Sequence, residues 1–82
     1  MKSGDLVASR FAATTCFEVH PEFGLLIRTI ASDEICTFIC KLSRDDQRRV
    51  HPSLGTYTAA TMMIMRADCS LVYVDKRMLS KL

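Results

Sequence analysis

The sequence predicts an all-β domain, a small and strongly bent five-stranded barrel. Short runs that favour extended structure alternate with turn residues along the 82 positions. Residues 61–79 carry the clearest pattern, because two such runs flank the tetrapeptide 67–70 in the manner of a β-hairpin. Both runs are apolar on both faces of the strands they predict. The hairpin therefore either lies inside a closed barrel or buries its second face against another subunit.

The first part of the chain predicts two strands. Residues 4–11 form the first, and residues 25–30, with the sequence Leu-Leu-Ile-Arg-Thr-Ile, form the second. Residues 12–22 between them show no clear period, and Pro21 holds the preceding residue extended. This segment is predicted to be a loop, and residues 31–34 are predicted to be a turn.

Residues 35–41 allow two interpretations. Ser32 suits the cap of a helix, and apolar residues from position 35 to position 42 recur at helical spacing. The isoleucine, threonine, phenylalanine and cysteine of this segment favour extended structure instead. Periodicity alone does not decide between them. We predict a third strand, with a helix over residues 33–42 as the alternative.

Residues 42–58 form a long polar insertion. Ser43, with Asp46 three residues later, predicts one short helical turn within residues 43–50, and Pro52 prevents its extension. The fourth strand is then predicted over residues 57–66 and the fifth over residues 71–76. Residues 77–79 are predicted to form a terminal turn.

Composition indicates one domain over residues 1–82, since 49% hydrophobic content supports a single modest core. No apolar run is long enough for a membrane span, and the N-terminus lacks the pattern of a secretion signal. The four cysteines are expected to be reduced and buried in a cytoplasmic protein. A chain of this size is marginally stable alone, so a homo-oligomer is expected.

Two cysteine pairings invite a zinc site, Cys16 with His20 and Cys36 with Cys40. Residues four apart on a strand lie about 13 Å from each other, too far to share one ion. No spacing places a histidine beside a particular thiol as the base of a cysteine nucleophile. The sequence therefore predicts no metal, no cofactor and no enzymatic activity.

Charge is distributed unevenly along the chain. Residues 1–34 hold three basic and five acidic side chains, whereas residues 35–82 hold eight basic and four acidic ones. A basic group with a tyrosine to stack on a base suits nucleic acid, while Asp45 and Asp46 would make the same group an ordinary solvated surface. The nucleic-acid candidates in this group are Lys41, Arg44, Arg48, Arg49, His51 and Tyr57.

Three segments carry a resemblance to known families. They are Gly4-Asp5-Leu6-Val7, Phe23-Gly24-Leu25-Leu26-Ile27, and residues 63–75 with Leu79. They resemble small Src-homology-3-like barrel proteins of tailed phages, notably marine cyanophages, in which a glycine commonly stands at the position of Cys69. The order of elements is also similar to that of Sm-like proteins. The location implied for a phage protein is the host cytoplasm.

The Sm-like resemblance implies a ring that binds RNA or single-stranded DNA. It implies that the ring forms when the fourth strand pairs with the fifth strand of the next subunit, and that two turns line the pore. The pore residues implied are Ser32, Asp33, Arg66 and Asp68. The interface residues implied are Met62, Met63, Ile64, Met65, Leu71, Val72, Tyr73 and Val74. The alternative function is a structural or adaptor module that contacts proteins without nucleic acid.

Overall fold

A computed structural model of the chain describes residues 1–54 and 61–82. In this part of the chain seven strands form one antiparallel sheet in the order β3-β2-β6-β5-β4-β1-β7. The strands are β1 (Leu6–Ser9), β2 (Ala13–His20), β3 (Gly24–Ala31), β4 (Ile35–Lys41), β5 (Thr61–Met65), β6 (Leu71–Asp75) and β7 (Leu79–Lys81). One helix, α1 (Arg44–Val50), and a 3-10 turn (Lys76–Met78) complete the described elements.

The sheet bends around a single core. All seven strands contribute buried residues to it, which are Val7, Cys16, Ile30, Cys36, Phe38, Met62, Ile64, Val72, Val74 and Leu79. The prediction of an all-β domain is confirmed. The prediction of a five-stranded barrel is wrong, because the described sheet has seven strands and remains open, with β3 and β7 at its edges.

The predicted loop over residues 12–22 is mostly strand β2 (Ala13–His20), which pairs with β3 along eight consecutive positions. Thr14 and Cys16 point into the core, whereas Thr15 is exposed. The alternation is therefore present, but threonines occupy both faces and hydropathy shows no period. Threonine is β-branched and common in strands, and this was the available signal.

The other predicted elements agree with the structure. The second strand is confirmed as β3, residues 35–41 form strand β4 and no helix, and the fifth strand is confirmed as β6. The fourth strand is confirmed as β5 from Thr61 onward, while residues 57–60 of that prediction lie outside the described residues. The predicted helical turn is α1, and the Ser43 side chain accepts a hydrogen bond from the Asp46 backbone N–H.

Two features of the C-terminal region were predicted differently. The hairpin loop has three residues, not four, because the Arg66 N–H donates to the Ser70 carbonyl at 2.9 Å and closes it. Residues 79–81 continue beyond the predicted turn as β7, which pairs with β1. Three residues are too few to show a period, so sequence alone gives this strand no signal. As for membranes, α1 has seven residues, and the described residues contain no helix of the length and apolarity that a crossing requires.

Candidate functional site

The terminal hairpin, β5 and β6, has one core face and one outer face. Met62, Ile64, Val72 and Val74 all point inward and are at most 3% exposed. Their prediction as interface residues is therefore corrected, because they fill the core of one subunit. On the outer face Tyr73 is also buried, at 9% exposure, so the residues that remain for a contact are Met63, Met65 and Leu71.

The outer face carries two rows of side chains that cross the sheet. The strand registers align Cys40, Met63, Tyr73, Phe17 and Ile27 across five strands in the first row. The second row consists of Leu6, Thr37, Met65 and Leu71 across four strands. We call the second one the Leu6–Leu71 row. Nearly every member of both rows is apolar.

The Leu6–Leu71 row is exposed at both ends. Leu6 is 50% exposed and Leu71 44%, and Ile35, which lies beside the row on β4, is 52% exposed. Isolated exposed apolar residues are ordinary on protein surfaces, but a contiguous group marks a contact site. The row therefore forms an apolar patch suited to another protein chain.

A cavity of about 340 Å³ lies at the β2–β3 end of the outer face. Its lining comprises outer-face residues of β2 and β3 and, from the segment that follows α1, Ser53. In that segment Leu54 is fully buried, and the His51 Nε2 comes within 3.4 Å of the point where a Cβ on Gly24 would lie. The insertion thus packs against the β2–β3 hairpin, and His51 lies there.

A basic edge forms where β4 ends, near the end of β6. Lys41 and Lys76 line one cavity of about 130 Å³, together with Phe38, Met62 and Met1. Arg44 begins α1 three residues after Lys41, and Arg48 lies one turn further along. Within residues 1–54 and 61–82, none of these four cations lies within ion-pair distance of a carboxylate. Lys76 was missed from sequence because it lies 35 positions from Lys41.

Two members of the predicted basic group are placed differently. Arg49 lies 4.0 Å from Asp46, and because both side chains are exposed, this ion pair contributes little to stability. Tyr57 lies outside the described residues. Among the described residues, Lys41, Arg44 and Arg48 are therefore the cations of the predicted group without a carboxylate partner, and Lys76 lines the same cavity as Lys41.

The two turns predicted to line a pore are adjacent, but their charged groups bind each other. The Arg66 guanidinium donates to both Glu34 carboxylate oxygens, at 2.6 and 2.8 Å, and the pair is largely shielded from solvent. Hydrogen bonding to Glu34 raises the pKa of Arg66. Asp68 accepts from the Ser70 N–H and hydroxyl, which lowers its pKa. The charged groups of Arg66 and Asp68 are thus bound to other residues of the same chain.

The two remaining turn residues differ from this pair. The Ser32 N–H donates to the Ala12 carbonyl at 3.1 Å, and Asp33 is exposed. Lys41 pairs with Met62 at one end of β5, whereas Arg66 follows the other end of this strand, four residues beyond Met62. That separation is about 13 Å along the strand. The predicted nucleic-acid residues are therefore divided between two ends of the sheet.

The cysteines are all free, and they differ in exposure. Burial raises the pKa of Cys16 to about 11, and burial together with the nearby Glu34 carboxylate raises the pKa of Cys36 to about 11. Both thiols stay protonated at neutral pH, and a protonated thiol is a poor nucleophile. Among the described residues no three histidine, cysteine, aspartate or glutamate side chains are grouped as metal ligands.

The strands of the terminal hairpin offer no free edge. β5 lies between β6 and β4, and β6 lies between β2 and β5. The strand pairing that the Sm-like resemblance implies for a ring would require one of these edges to be open. The open edges of the described sheet belong to β3 and β7.

No family model, curated protein or solved structure matches the chain.

Proposed function

We propose that the protein is a small assembly module that contacts other copies of itself through the outer face of its sheet. The exposed Leu6–Leu71 row carries this proposal. A sheet with one face in water normally shows polar residues on that face, whereas Met65 and Leu71 here lie beside the half-buried Met63. Such a surface gains free energy when a second apolar surface displaces its water.

A stable contact needs more surface than the exposed row alone. Specific interfaces remove about 1,200–2,000 Å² of total surface, so the contact extends from the Leu6–Leu71 row onto the apolar side chains beside it, Ile35 and Met63. The module would then act as a structural or adaptor protein.

A charge at Leu71 tests this contact. Leu71→Glu leaves the core intact, because the side chain is 44% exposed, but an unpaired carboxylate in an apolar interface costs several kcal/mol. We expect self-association to weaken by at least about 100-fold in sedimentation equilibrium. Phe11→Glu is the matched control, because Phe11 is 54% exposed and lies outside both rows. A folded Leu71→Glu protein with the mass of the wild type would contradict the proposal.

The Src-homology-3-like resemblance belongs to this proposal and rests on the three sequence segments that carry it. We place the module in the cytoplasm, which its four free cysteines support. A phage origin rests on the sequence resemblance alone.

Nucleic-acid binding is a second candidate function, favoured by the basic edge. Lys41 and Lys76 share one cavity, and the exposed Arg44 and Arg48 follow on α1. Clustered cations without carboxylate partners bind phosphates and release counterions. RNA or single-stranded DNA would lie along this edge, separate from the Leu6–Leu71 row.

Salt distinguishes the two functions. Phosphate binding weakens with a log–log slope of about one unit per contact, whereas an apolar protein contact responds little to salt. We expect Lys41→Gln to reduce the slope for a mixed-sequence oligonucleotide by about one. Lys81→Gln is the control, because it removes the same charge from the edge strand β7, away from the basic group. Equal slopes in all three proteins, or no binding by the wild type, would remove this candidate function.

A further inference from the structure

The edge strand β3 lacks the features that protect sheet edges from pairing with other chains. Native edges are commonly short, bulged, interrupted by proline or charged. β3 has eight residues, pairs with β2 without a register shift and contains no proline. Its only charge, Arg28, is held by Glu18 of β2 at 3.1 Å. The other edge, β7, has three residues and carries Lys81.

One hydrogen bond determines which N–H and C=O groups of β3 point toward β2 and which point away from it. The Ser32 N–H donates to the Ala12 carbonyl, which extends the β2–β3 register by one pair. In an antiparallel pair, bonded and non-bonded positions alternate. Leu25, Ile27 and Thr29 are therefore at non-bonded positions. Their N–H and C=O groups point away from β2, toward the open side of the sheet.

The side chains at this edge are also apolar and exposed. Ile27 is 72% exposed, and Phe23, which immediately precedes the strand, is 71% exposed. These are the two highest values among the large apolar residues of the described chain. An edge of outward-pointing backbone groups, flanked by exposed apolar side chains, suits the addition of another strand.

We infer that β3 pairs with β3 of a second copy, antiparallel and about a two-fold axis, so that two sheets join edge to edge. In the register that we assign, Leu26 lies opposite the partner subunit's Leu26. Leu25 then forms a bonded pair with the partner subunit's Ile27. Arg28 faces the partner subunit's Gly24, which has no side chain of its own, and the His51 ring of each subunit lies beside its own Gly24.

Self-complementarity is the reason to assign a second copy as the occupant. An antiparallel strand pair about a two-fold axis matches each residue with its own segment, and this register places leucine and isoleucine opposite each other. It also separates the two Arg28 side chains by four residues along the strand, about 13 Å. Like charges directly opposite each other would be unfavourable.

The edge contact adds a second interface to the proposed assembly module, and it rests on that proposal for the expectation that the protein self-associates. The edge contact uses β3, whereas the face contact uses the Leu6–Leu71 row. An experiment can therefore disprove one contact and leave the other in place. With both contacts intact, the protein assembles beyond a dimer. Leu71→Glu is then expected to leave an edge-joined dimer, and loss of the edge is expected to leave a face-joined dimer.

A proline at Ile27 tests the edge. The Ile27 N–H points outward, so proline removes no bond to β2 and is tolerated at an edge strand, but in the assigned register it removes a bond to the partner subunit's Leu25. We expect Ile27→Pro, in the Leu71→Glu background, to be monomeric, with at least a tenfold higher dissociation constant by sedimentation equilibrium. Ile27→Val in the same background keeps the dimer. A folded proline variant that still dimerises would overturn the inference.

A cross-link keeps the inference falsifiable if the proline variant does not fold. Non-bonded antiparallel pairs have Cα atoms about 4.5 Å apart, which a disulfide spans. In a Cys69→Ser background, Leu26→Cys should form a covalent dimer under mild oxidation. Arg28→Cys, about 13 Å from its counterpart, should not. Equal cross-linking by both variants, or none by Leu26→Cys, would overturn the register. A wild-type protein that binds only other proteins, and no second copy of itself, would overturn the assignment of the occupant.

Discussion

Replacing Cys69 with glycine is expected to stabilise the protein. Cys69 has a φ of +68° and is the only non-glycine residue in the described chain with a positive φ. It ends the three-residue loop of the β5–β6 hairpin, a position where a left-handed residue is required and glycine is usual. The side chain is exposed, so its removal takes no packing from the core.

The size of this effect is a difference between two terms. A left-handed conformation costs a residue with a Cβ about 1–2 kcal/mol relative to glycine. Glycine in turn lowers stability by about 0.5–1 kcal/mol, because the unfolded chain gains conformational freedom. The net expectation is a gain of about 0.5–1 kcal/mol, or roughly 3–6 °C in Tm for a domain of this size.

Urea and thermal unfolding, followed by circular dichroism, measure this gain. Ala67→Gly is the matched control, since Ala67 is an exposed residue of the same loop without a positive φ. It should lose about 0.5–1 kcal/mol through the entropy term alone. If Cys69→Gly is destabilised as much as Ala67→Gly, the reasoning about the turn is refuted.

Two further predictions concern the core. Ile64→Glu should unfold the protein, because Ile64 is fully buried and a carboxylate there costs several kcal/mol of a free energy of unfolding of about 5–15 kcal/mol. Met63→Glu, on the outer face, should stay folded and self-associate less. Two folded variants with the mass of the wild type would contradict this prediction. The raised pKa of Cys16 and Cys36, about 11 in the fold against 9.0 unfolded, means that the folded state keeps protons that the unfolded state releases. Their stabilisation is therefore full below pH 9 and is lost as pH rises toward 11, at about 1.4 kcal/mol per pH unit for each thiol. Urea titrations should show this slope reduced in Cys16→Val, and an unchanged slope would exclude the thiol as its source.

Local preferences for extended structure predicted β3, β4, β5 and β6, and Ser43 with Pro52 bounded the short helix. β2 was missed because its alternation is carried by threonines, and β7 because three residues carry no period. The closure of a barrel depends on strands far apart in sequence, which no local pattern records.

The candidate site was predicted less completely, for the same physical reason. Apolar residues on both faces of the hairpin gave no means to tell core from surface. Arg66 and Glu34 form their ion pair across 32 positions, and Lys41 and Lys76, 35 positions apart, line one cavity. Both placements follow from the sheet order, and each changes which charged side chains remain available to a partner.

The mass of the purified protein, measured by sedimentation equilibrium with and without a mixed-sequence oligonucleotide pool, tests the assembly proposal most directly. The proposal predicts a dimer or larger species at micromolar concentration in the absence of nucleic acid. It also predicts that this mass persists when salt is raised, because an apolar interface is little affected by screening. A protein that stays monomeric up to about 100 μM would contradict it, because a specific interface of standard size binds more tightly than that.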